Sequence, residues 1–113
     1  MIKIKRVYDP VSPGDGRRIL VDRLWPRGMK KEDAAIDEWL KEIAPSNELR
    51  KWYSHDPAKW DEFRKRYKAE LKGKAGIIDR LRQESKRQTI TLLFSSKEQE
   101  LNNAAALKEF IEA

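Results

Sequence analysis

The sequence predicts an α/β fold: a small, mainly parallel sheet flanked by helices in three layers, forming a single domain over residues 1–113. Segments with strand character lie near both ends of the chain, and the region between them has the spacing of amphipathic helices. A helical pattern also follows the last strand. Because buried strands joined by a helical crossover run parallel, this order predicts a mainly parallel sheet.

The first two strands are predicted from alternation and from an apolar run. In Ile2–Tyr8 isoleucine alternates with lysine, as in a half-buried strand. Arg18–Asp22 carries the consecutive Ile-Leu-Val typical of a strand that is buried on both faces. The nine residues between these segments suit a hairpin better than a helical crossover, so the direction of the first strand relative to the second stays open.

Helix signals fill the middle of the chain. After a turn at Trp25–Gly28, Asp33 is a candidate N-cap for a helix over Ala34–Ile43, whose large apolar residues fall on one stripe. Capping residues at Ser46 and Asp56 start two further helices, which reach about residue 52 and about residue 72. A fourth helix begins near residue 76 and runs to about residue 86.

The last strand and the helix after it define the predicted binding edge. Thr89–Phe94 is β-branched and then fully apolar, and Asn102 or Asn103 caps a final helix. If the second and last strands are parallel, the loops Arg23–Gly28 and Ser95–Gln99 meet at one edge of the sheet. Open α/β sheets bind ligands at the carboxyl ends of their strands, so we expect the site there.

Composition excludes several kinds of site. The chain has no cysteine and one histidine, so it has no disulfide, no thiolate nucleophile and no multi-histidine metal site of its own. No apolar run approaches the roughly 20 residues that span a membrane, and no signal-peptide pattern precedes the first strand. GxGxxG and P-loop patterns are absent. We therefore expect a cytoplasmic protein with no metal, no cofactor and no membrane partner.

Positive charge is concentrated in the first third of the chain. The formal net charge is +6, and residues 1–31 account for all of it with nine basic and three acidic residues. The basic residues are Lys3, Lys5, Arg6, Arg17, Arg18, Arg23, Arg27, Lys30 and Lys31. Such a field attracts phosphates, carboxylates or a nucleic acid backbone. The alternative interpretation is solubility together with ion pairs to the acidic helices that follow.

Two polar loops at the predicted edge supply the candidate binding residues. Arginine guanidinium groups beside a proline turn can bind a phosphate or a carboxylate through paired hydrogen bonds. An aromatic side chain can stack on a ring of the ligand, and hydroxyl groups together with an ammonium group can bind an oxyanion. The candidates are Asp22, Arg23, Trp25, Arg27, Ser95, Ser96 and Lys97, with Asp15 and Arg17 of the preceding loop as further candidates. In this hypothesis the carboxylate of Asp22 holds the arginines.

Several candidates also have a purely structural interpretation. Asp22 and Arg23 can form an ion pair at the strand end, and Trp25 is favoured as a core residue. The Ser-Lys sequence can supply a nucleophile and a base, but loop polarity is favoured over catalysis because no G-x-S-x-G elbow is present. His55 lies five residues before Trp60, the spacing of a hydrophobic staple, which favours packing at the start of a helix.

Several short sequence motifs along the chain resemble those of one family. They include Lys5–Pro10, Asp15–Arg17, Leu20–Gly28, Trp39–Ser46 and Thr91–Leu93, so the resemblance covers essentially the whole chain. The VDRLWPRG string is very specific, and the chain is identified as a member of the YeaO-like branch of the domain of unknown function 488 family. The resemblance implies an α/β domain in a bacterial or archaeal cytoplasm, and it implies no established activity.

The chain departs from the family pattern at two places. Broader members carry an Asp-Val-Arg string near Val21–Arg23 and a cysteine-containing motif after the last strand, where this chain has Phe94–Lys97 and no thiol. Cysteine-dependent chemistry is therefore not carried over. The YeaO-like branch often has Asn-His before the final helix, whereas this chain has Asn102 and Asn103, which weakens a histidine-based mechanism at that point.

These observations favour a small anion-binding domain for a phosphorylated or carboxylated small molecule or a nucleotide. If the domain catalyses a reaction, metal-free hydrolysis or group transfer is the expected class. One alternative is a nucleic-acid-binding protein that uses the basic N-terminal third. Another is a dimeric protein-interaction module, because a small sheet has edges to cover. Whether the chain is a monomer or a homodimer stays open.

Overall fold

The fold is built on a four-stranded parallel sheet. The computed structural model describes residues 1–113. Strand β1 covers Ile2–Arg6, β2 Arg17–Leu20, β3 Glu38–Trp39 and β4 Ile90–Phe94, and their spatial order is β1-β4-β2-β3. All neighbouring strands are parallel. The predicted α/β class and the parallel pairing of the second and last strands are confirmed.

The last strand in the sequence lies between the first two. Ile90 of β4 aligns with Ile2 on one side and with Arg17 on the other. Every residue of β4 is buried, and a strand that is apolar on both faces is most stable in the centre of a sheet. The hairpin favoured for the first two strands is therefore wrong, because β1 and β2 run in the same direction and each pairs with β4.

Five α-helices accompany the strands. Helix α1 covers Lys31–Ala34, α2 Asn47–Tyr53, α3 Trp60–Leu71, α4 Ala75–Arg87 and α5 Asn103–Glu112. Short 3-10 turns lie at Pro13–Asp15, Lys41–Ile43, Pro57–Lys59 and Lys72–Lys74. None of the helices has both the length and the apolar character that a membrane span requires.

The predicted N-caps form hydrogen bonds with the first turns of their helices. The hydroxyl of Ser46 accepts from the Leu49 N–H at 3.1 Å, and the side chain of Asn102 accepts from the Ala105 N–H at 2.8 Å. Asp56 caps the 3-10 turn that leads into α3 in the same way. These polar side chains satisfy backbone donors that have no partner inside the helix.

Helices α2 to α5 cover one face of the sheet and form the larger core. Their buried side chains pack with those strand residues that point to this face; the cluster includes Ile19, Val21, Leu92, Phe94, Tyr53, Phe63, Tyr67, Leu81, Leu107 and Ile111. Tyr67 is fully buried, and its hydroxyl donates to the Ile43 carbonyl at 2.7 Å. Burial raises the pKa of the Tyr67 phenol, which therefore stays a neutral donor at physiological pH.

The opposite face has a thinner cover. Val7, Leu20, Ala34 and Leu93 form a smaller buried cluster, against which Trp25, Met29, Ile36 and Trp39 pack. Of the five helices, α1 alone contributes to this cluster. Both faces of the sheet are covered, as the three-layer prediction requires, but this outer layer consists mostly of loop.

The helix predicted over Ala34–Ile43 is wrong. Helix α1 ends at Ala34, and Ala35 adopts the left-handed conformation with φ 48° and ψ 47°. The chain then forms the edge strand β3, in which Trp39 aligns with Leu20.

The physical reason lies in where the apolar residues of that segment pack. Ile36 and Trp39 pack against the smaller core, whereas Leu40 and Ile43 belong to the larger one. A single helical stripe cannot face both sides of a sheet, but a segment that passes around the sheet edge can. Tertiary packing thus overrides the helical spacing of these residues.

Candidate functional site

A pocket of about 650 Å³ lies at the carboxyl ends of β2 and β4. It brings together residues of the loop after β2 and residues of the loop after β4, as the parallel arrangement predicts. The lining residues are Tyr8, Asp22, Arg23, Leu24, Trp25, Arg27, Pro45, Arg50, Tyr53, His55, Phe63, Ser95, Ser96, Asn102 and Asn103. The volume is in the range of sites for small organic molecules.

Asp22 is the centre of a hydrogen-bond network that joins three elements. One carboxylate oxygen accepts from both the N–H and the hydroxyl of Ser95, each at 2.8 Å. The other oxygen accepts from the side-chain amide of Asn103 at 3.1 Å, and this amide also donates to the Val21 carbonyl at 3.0 Å. Asp22 therefore ties the end of β2 to the end of β4 and to the first turn of α5.

Arg23 is held by backbone carbonyls. Its guanidinium donates to the carbonyls of Ala44 and Pro45, both at 3.2 Å, and forms no ion pair with Asp22. The hypothesis that Asp22 holds the arginines is wrong, because its oxygens accept from Ser95 and Asn103. Two carbonyl contacts fix the plane of the Arg23 guanidinium at the pocket wall without neutralising its charge.

Arg27 and Arg50 add positive charge to the lining from two different elements. Arg27 lies in the loop after β2, is exposed, and its side chain makes no hydrogen bond or ion pair. Arg50 lies on α2, and its only side-chain partner is the Asn47 amide oxygen at 3.3 Å. Both guanidinium groups therefore keep most of their donors available to a ligand.

Trp25 is partly buried and also lines the pocket. It therefore packs against the core, as one interpretation of the sequence predicts, and has a position from which it could contact a ligand, as the other predicts. Its indole N–H donates to the Met29 carbonyl at 2.7 Å, and its ring contacts Trp39 edge-on at 5.4 Å between centroids. Tyr8 lies nearby, because its hydroxyl donates to the Arg27 carbonyl at 2.9 Å.

Buried aromatic rings complete the lining on the side of the larger core. Tyr53 and Phe63 stack with their ring centroids 4.4 Å apart. The Tyr53 hydroxyl donates to the Leu101 carbonyl at 2.7 Å. Burial, followed by the negative charges of Glu98 and Asp56, raises the pKa of this phenol. The hydroxyl is thus a structural donor and not a proton carrier near neutral pH.

Ser96 and His55 form a polar rim. The Ser96 hydroxyl lies 3.5 Å from His55 Nδ1 and accepts from the Glu98 N–H at 3.0 Å. His55 is exposed and its ring lies beside Tyr53, with 6.0 Å between the ring centroids. The imidazole of His55, for which packing at the start of α3 is predicted, lies in the pocket lining. Backbone N–H groups of Glu100 and Leu101 lower the pKa of the Glu98 carboxyl.

Three of the sequence candidates lie outside the pocket. Lys97 is exposed in the loop after β4 and is not part of the lining. Asp15 and Arg17 lie at the amino end of β2, the other end of the strand. Arg17 forms ion pairs with Glu38 and Glu84, which raise the pKa of its guanidinium. Asp15 and Arg17 make their contacts around the sheet, and neither residue lines the pocket.

Asp15 is the buried partner of two cations. Its carboxylate contacts the Lys5 ammonium and the Arg18 guanidinium and accepts from the Ser12 N–H at 3.0 Å. Burial acts to raise the pKa of the Asp15 carboxyl, but these hydrogen bonds outweigh it and the pKa is lowered. Arg18 also donates to the carbonyls of Ala34 and Ala35, so this network fastens α1 to the sheet.

Sequence reasoning missed several lining residues. Arg50 and Tyr53 lie three residues apart on α2, and their i, i+3 spacing places them on one side of that helix. That spacing was the available signal, but nothing in the sequence says which side faces the site. The sequence allows Asn102 or Asn103 as the cap of the last helix; the structure assigns the cap to Asn102 and turns Asn103 toward Asp22.

The pocket supplies guanidinium, amide, hydroxyl and aromatic groups. Nowhere in the structure do three His, Asp or Glu side chains gather in an arrangement that could hold a metal ion. The one carboxylate of the lining, Asp22, already accepts hydrogen bonds. The arrangement is therefore suited to hold an anionic group by arginine and to contact the rest of a small ligand by aromatic faces.

Comparison with known proteins places the chain in a family. A family model described as the inactive DUF488-N3 subclade matches residues 1–113. The uncharacterized protein YeaO of Escherichia coli K12 is 49% identical over 110 residues, which cover 97% of this chain and 96% of that protein. The uncharacterized proteins Mb3100c of Mycobacterium bovis and Rv3073c of Mycobacterium tuberculosis are each 39% identical over 110 residues, 97% of this chain and 92% of each relative.

No solved structure matches the chain in a search of known structures. The family assignment thus depends on the sequence matches, which cover nearly the full length of this chain and of its relatives. The chain belongs to the inactive DUF488-N3 subclade and, within the domain of unknown function 488 proteins, to the YeaO-like branch.

Proposed function

We propose that the protein binds a small anionic ligand, a phosphorylated or carboxylated small molecule or a nucleotide, in the pocket at the carboxyl ends of β2 and β4. One observation carries the proposal: Arg23, Arg27 and Arg50 line a single pocket, and none of them has an acidic partner. Guanidinium groups bind carboxylate and phosphate oxygens through paired hydrogen bonds.

The distribution of the other arginines supports this interpretation. Most arginines outside the pocket reach a carboxylate; these are Arg17, Arg18, Arg64, Arg66, Arg80 and Arg82. Arginine in this protein is thus usually neutralised within the fold. Five arginines have no carboxylate partner, and three of these five line the pocket, where an anionic ligand would supply the missing charge.

We assign the pocket no reaction. The Ser95 hydroxyl donates to Asp22 at 2.8 Å, an arrangement that superficially pairs a nucleophile with a base. The same Asp22 oxygen also accepts from the Ser95 N–H, and the other oxygen accepts from Asn103. These contacts favour a role for Asp22 in holding the loops together.

Calorimetric titration with phosphate monoesters and dicarboxylates tests the proposal. We expect saturable binding of at least one of them at physiological salt and about a 10- to 100-fold loss of affinity in Arg27→Ala and in Arg50→Ala, since a hydrogen bond to a charged group contributes about 1.5–3 kcal/mol. Both side chains are exposed, so both variants should fold normally. Arg23→Ala is a poorer probe because Arg23 also holds Ala44 and Pro45.

Arg87→Ala is the matched control. Arg87 is exposed, has no ion pair and lies at the end of α4, outside the pocket. This variant removes the same charge and should bind the probes as the parent does. If all four proteins bind equally, or if none binds any probe, the proposal is wrong.

The nucleic-acid alternative would use the basic residues of the N-terminal third. Several of these already have partners inside the fold: Lys3, Lys5, Arg6, Arg17 and Arg18 contact carbonyls or carboxylates. This leaves fewer free cations for a phosphate backbone. A steep loss of affinity for a nucleic acid with rising salt would favour this alternative over the pocket. We also propose that the protein acts in the cytoplasm, the location that the family resemblance implies.

A further inference from the structure

The pocket contains aromatic rings that are held in place by polar contacts. The Trp25 ring is fixed by its hydrogen bond to Met29 and by the edge contact with Trp39. The Tyr8 ring is fixed by its hydrogen bond to the Arg27 carbonyl and by the Arg6 guanidinium, which lies 5.1 Å from the ring centroid. Rings held in this way are available for stacking at little cost in side-chain entropy.

Tyr8 is exposed, although tyrosine has a large apolar ring. It is 40% exposed, and Leu24, which also lines the pocket, is 59% exposed. Neither residue belongs to a buried cluster of the core. Exposed apolar side chains in the lining of a pocket indicate a surface that a ligand covers.

Two aromatic residues of the pocket lie close to the backbone of Arg27. The Tyr8 hydroxyl contacts the backbone of Arg27, and Trp25 lies two residues before Arg27 in the same loop. A pocket of about 650 Å³ also has far more room than a bare phosphate or carboxylate group needs. The size, the rings and the arginines together favour a ligand with two chemically different parts.

Building on the proposed function, we propose that the ligand is an aromatic phosphate of mononucleotide type, whose phosphate contacts Arg27 and Arg50 and whose base stacks on Tyr8 and Trp25. Stacking of a base on an aromatic side chain does not depend strongly on which base is present. The pocket should therefore distinguish nucleotides from aliphatic phosphates more sharply than it distinguishes one base from another.

Titration of the full chain with three probes tests this inference. Adenosine monophosphate carries both parts, ribose 5-phosphate lacks the base and adenosine lacks the phosphate. We expect adenosine monophosphate to bind about tenfold or more tightly than ribose 5-phosphate, as one stacked base contributes. In Tyr8→Leu this ratio should fall severalfold, because the affinity for adenosine monophosphate falls more than the affinity for ribose 5-phosphate. Arg27→Ala should weaken both phosphates and leave adenosine unaffected.

The outcomes separate the two proposals. Equal affinity of the parent protein for adenosine monophosphate and ribose 5-phosphate, with both weakened in Arg27→Ala, would overturn the aromatic requirement and keep the anion pocket. Absence of binding by both phosphates would overturn this inference, and the proposed function would fall with it only if the dicarboxylates of the earlier titration do not bind either. Quenching of tryptophan fluorescence by adenosine monophosphate that persists undiminished in Trp25→Phe would show that the base stacks elsewhere and would also overturn this inference.

Discussion

At the scale of single residues, the two ends of β2 are each organised by one aspartate. Asp22 accepts hydrogen bonds from Ser95 and Asn103 at the carboxyl end, and Asp15 accepts from Lys5 and Arg18 beside the amino end. The first network shapes the pocket and the second supports the sheet. Both aspartates were candidate site residues on the basis of the sequence. A sequence shows that a carboxylate is present, but it does not show which hydrogen-bond donors will reach that carboxylate in the fold.

Asp15 should make the stability of the protein depend on acid pH. Its pKa is lowered in the folded state from the ordinary value of 3.8, so its contribution is present above that value and is lost as the pH falls through the folded-state pKa. We expect Asp15→Asn to lose about 3 kcal/mol of unfolding free energy at pH 7, because Arg18 is left buried without its carboxylate. Urea unfolding at pH 7 and near pH 3 measures both effects.

Asp33→Asn is the control for this experiment. Asp33 is an exposed residue of α1 and its side chain has no ion pair or hydrogen bond. The Asp33→Asn substitution should change the free energy of unfolding little at either pH. The difference between the parent and Asp15→Asn should shrink toward acid pH; a difference that stays constant would show that Asp15 contributes through packing and not through its charge.

At the scale of elements, the helical spacing of apolar residues in the sequence had two different outcomes. In α3 the spacing of Phe63, Tyr67 and Leu71 places all three in one core, and the predicted helix forms. In Ala34–Ile43 equally good spacing occurs where the chain turns around the sheet edge, and a short strand forms instead. Spacing predicts a helix only where one neighbouring surface receives the whole apolar face.

The junction before β2 requires glycine. Gly16 has φ 63°, and a Cβ at this position would lie 2.2 Å from the Thr89 carbonyl oxygen. The next residue, Arg17, donates its N–H to this same carbonyl at 3.0 Å, which begins the pairing of β2 with β4. We expect Gly16→Ala to destabilise the protein by more than about 2 kcal/mol, because backbone strain and the clash act together. Chemical denaturation measures the loss.

Gly73→Ala is the matched substitution. Gly73 is exposed in the turn between α3 and α4, lacks a positive φ, and a Cβ there would meet nothing within 4 Å. It should leave stability unchanged or raise it by up to about 1 kcal/mol, since alanine reduces the entropy of the unfolded chain. Equal effects of the two substitutions would contradict the role given to Gly16.

At the scale of the whole molecule, one central sheet serves two cores of unequal size. Leu92 and Phe94 point into the larger core, and Leu93 between them points into the smaller one. The two cores therefore share the backbone of β4, and neither can lose its packing without disturbing the strand that supports the other. This coupling is the physical basis for expecting residues 1–113 to behave as a single domain.

The tryptophans report on the two cores separately. Trp25 and Trp39 pack against the smaller core, and Trp52 and Trp60 pack against the larger one. Two double variants isolate these signals: one has Trp25 and Trp39 replaced by Phe, and the other has Trp52 and Trp60 replaced by Phe. In both variants we expect the thermal unfolding transition measured by fluorescence to coincide with the transition measured by far-UV circular dichroism. An earlier fluorescence transition when only Trp25 and Trp39 remain would show that the thin layer unfolds on its own.

Part of the site could be predicted because strand direction decides which loops meet. The apolar run at Ile19–Val21 and the strand predicted at Thr89–Phe94 indicated a parallel pair, and this pair brings Asp22 close to Ser95. The rest depended on groups from elements whose orientation no local pattern encodes. Arg50, His55 and Asn103 reach the pocket from α2, the segment after it and α5.

The sequence by itself determined the α/β class, the parallel pairing of β2 with β4, the capped helices and the sheet edge at which polar residues collect. These features follow from local causes, namely apolar periodicity, capping chemistry and strand direction. Only the tertiary structure decided that β4 lies between β1 and β2, that Trp39 belongs to a strand, and that Arg23 is held by carbonyls and not by Asp22. Each of these depends on which distant groups compete for the same surface or the same hydrogen-bond partner, and that competition is settled only when the whole chain packs.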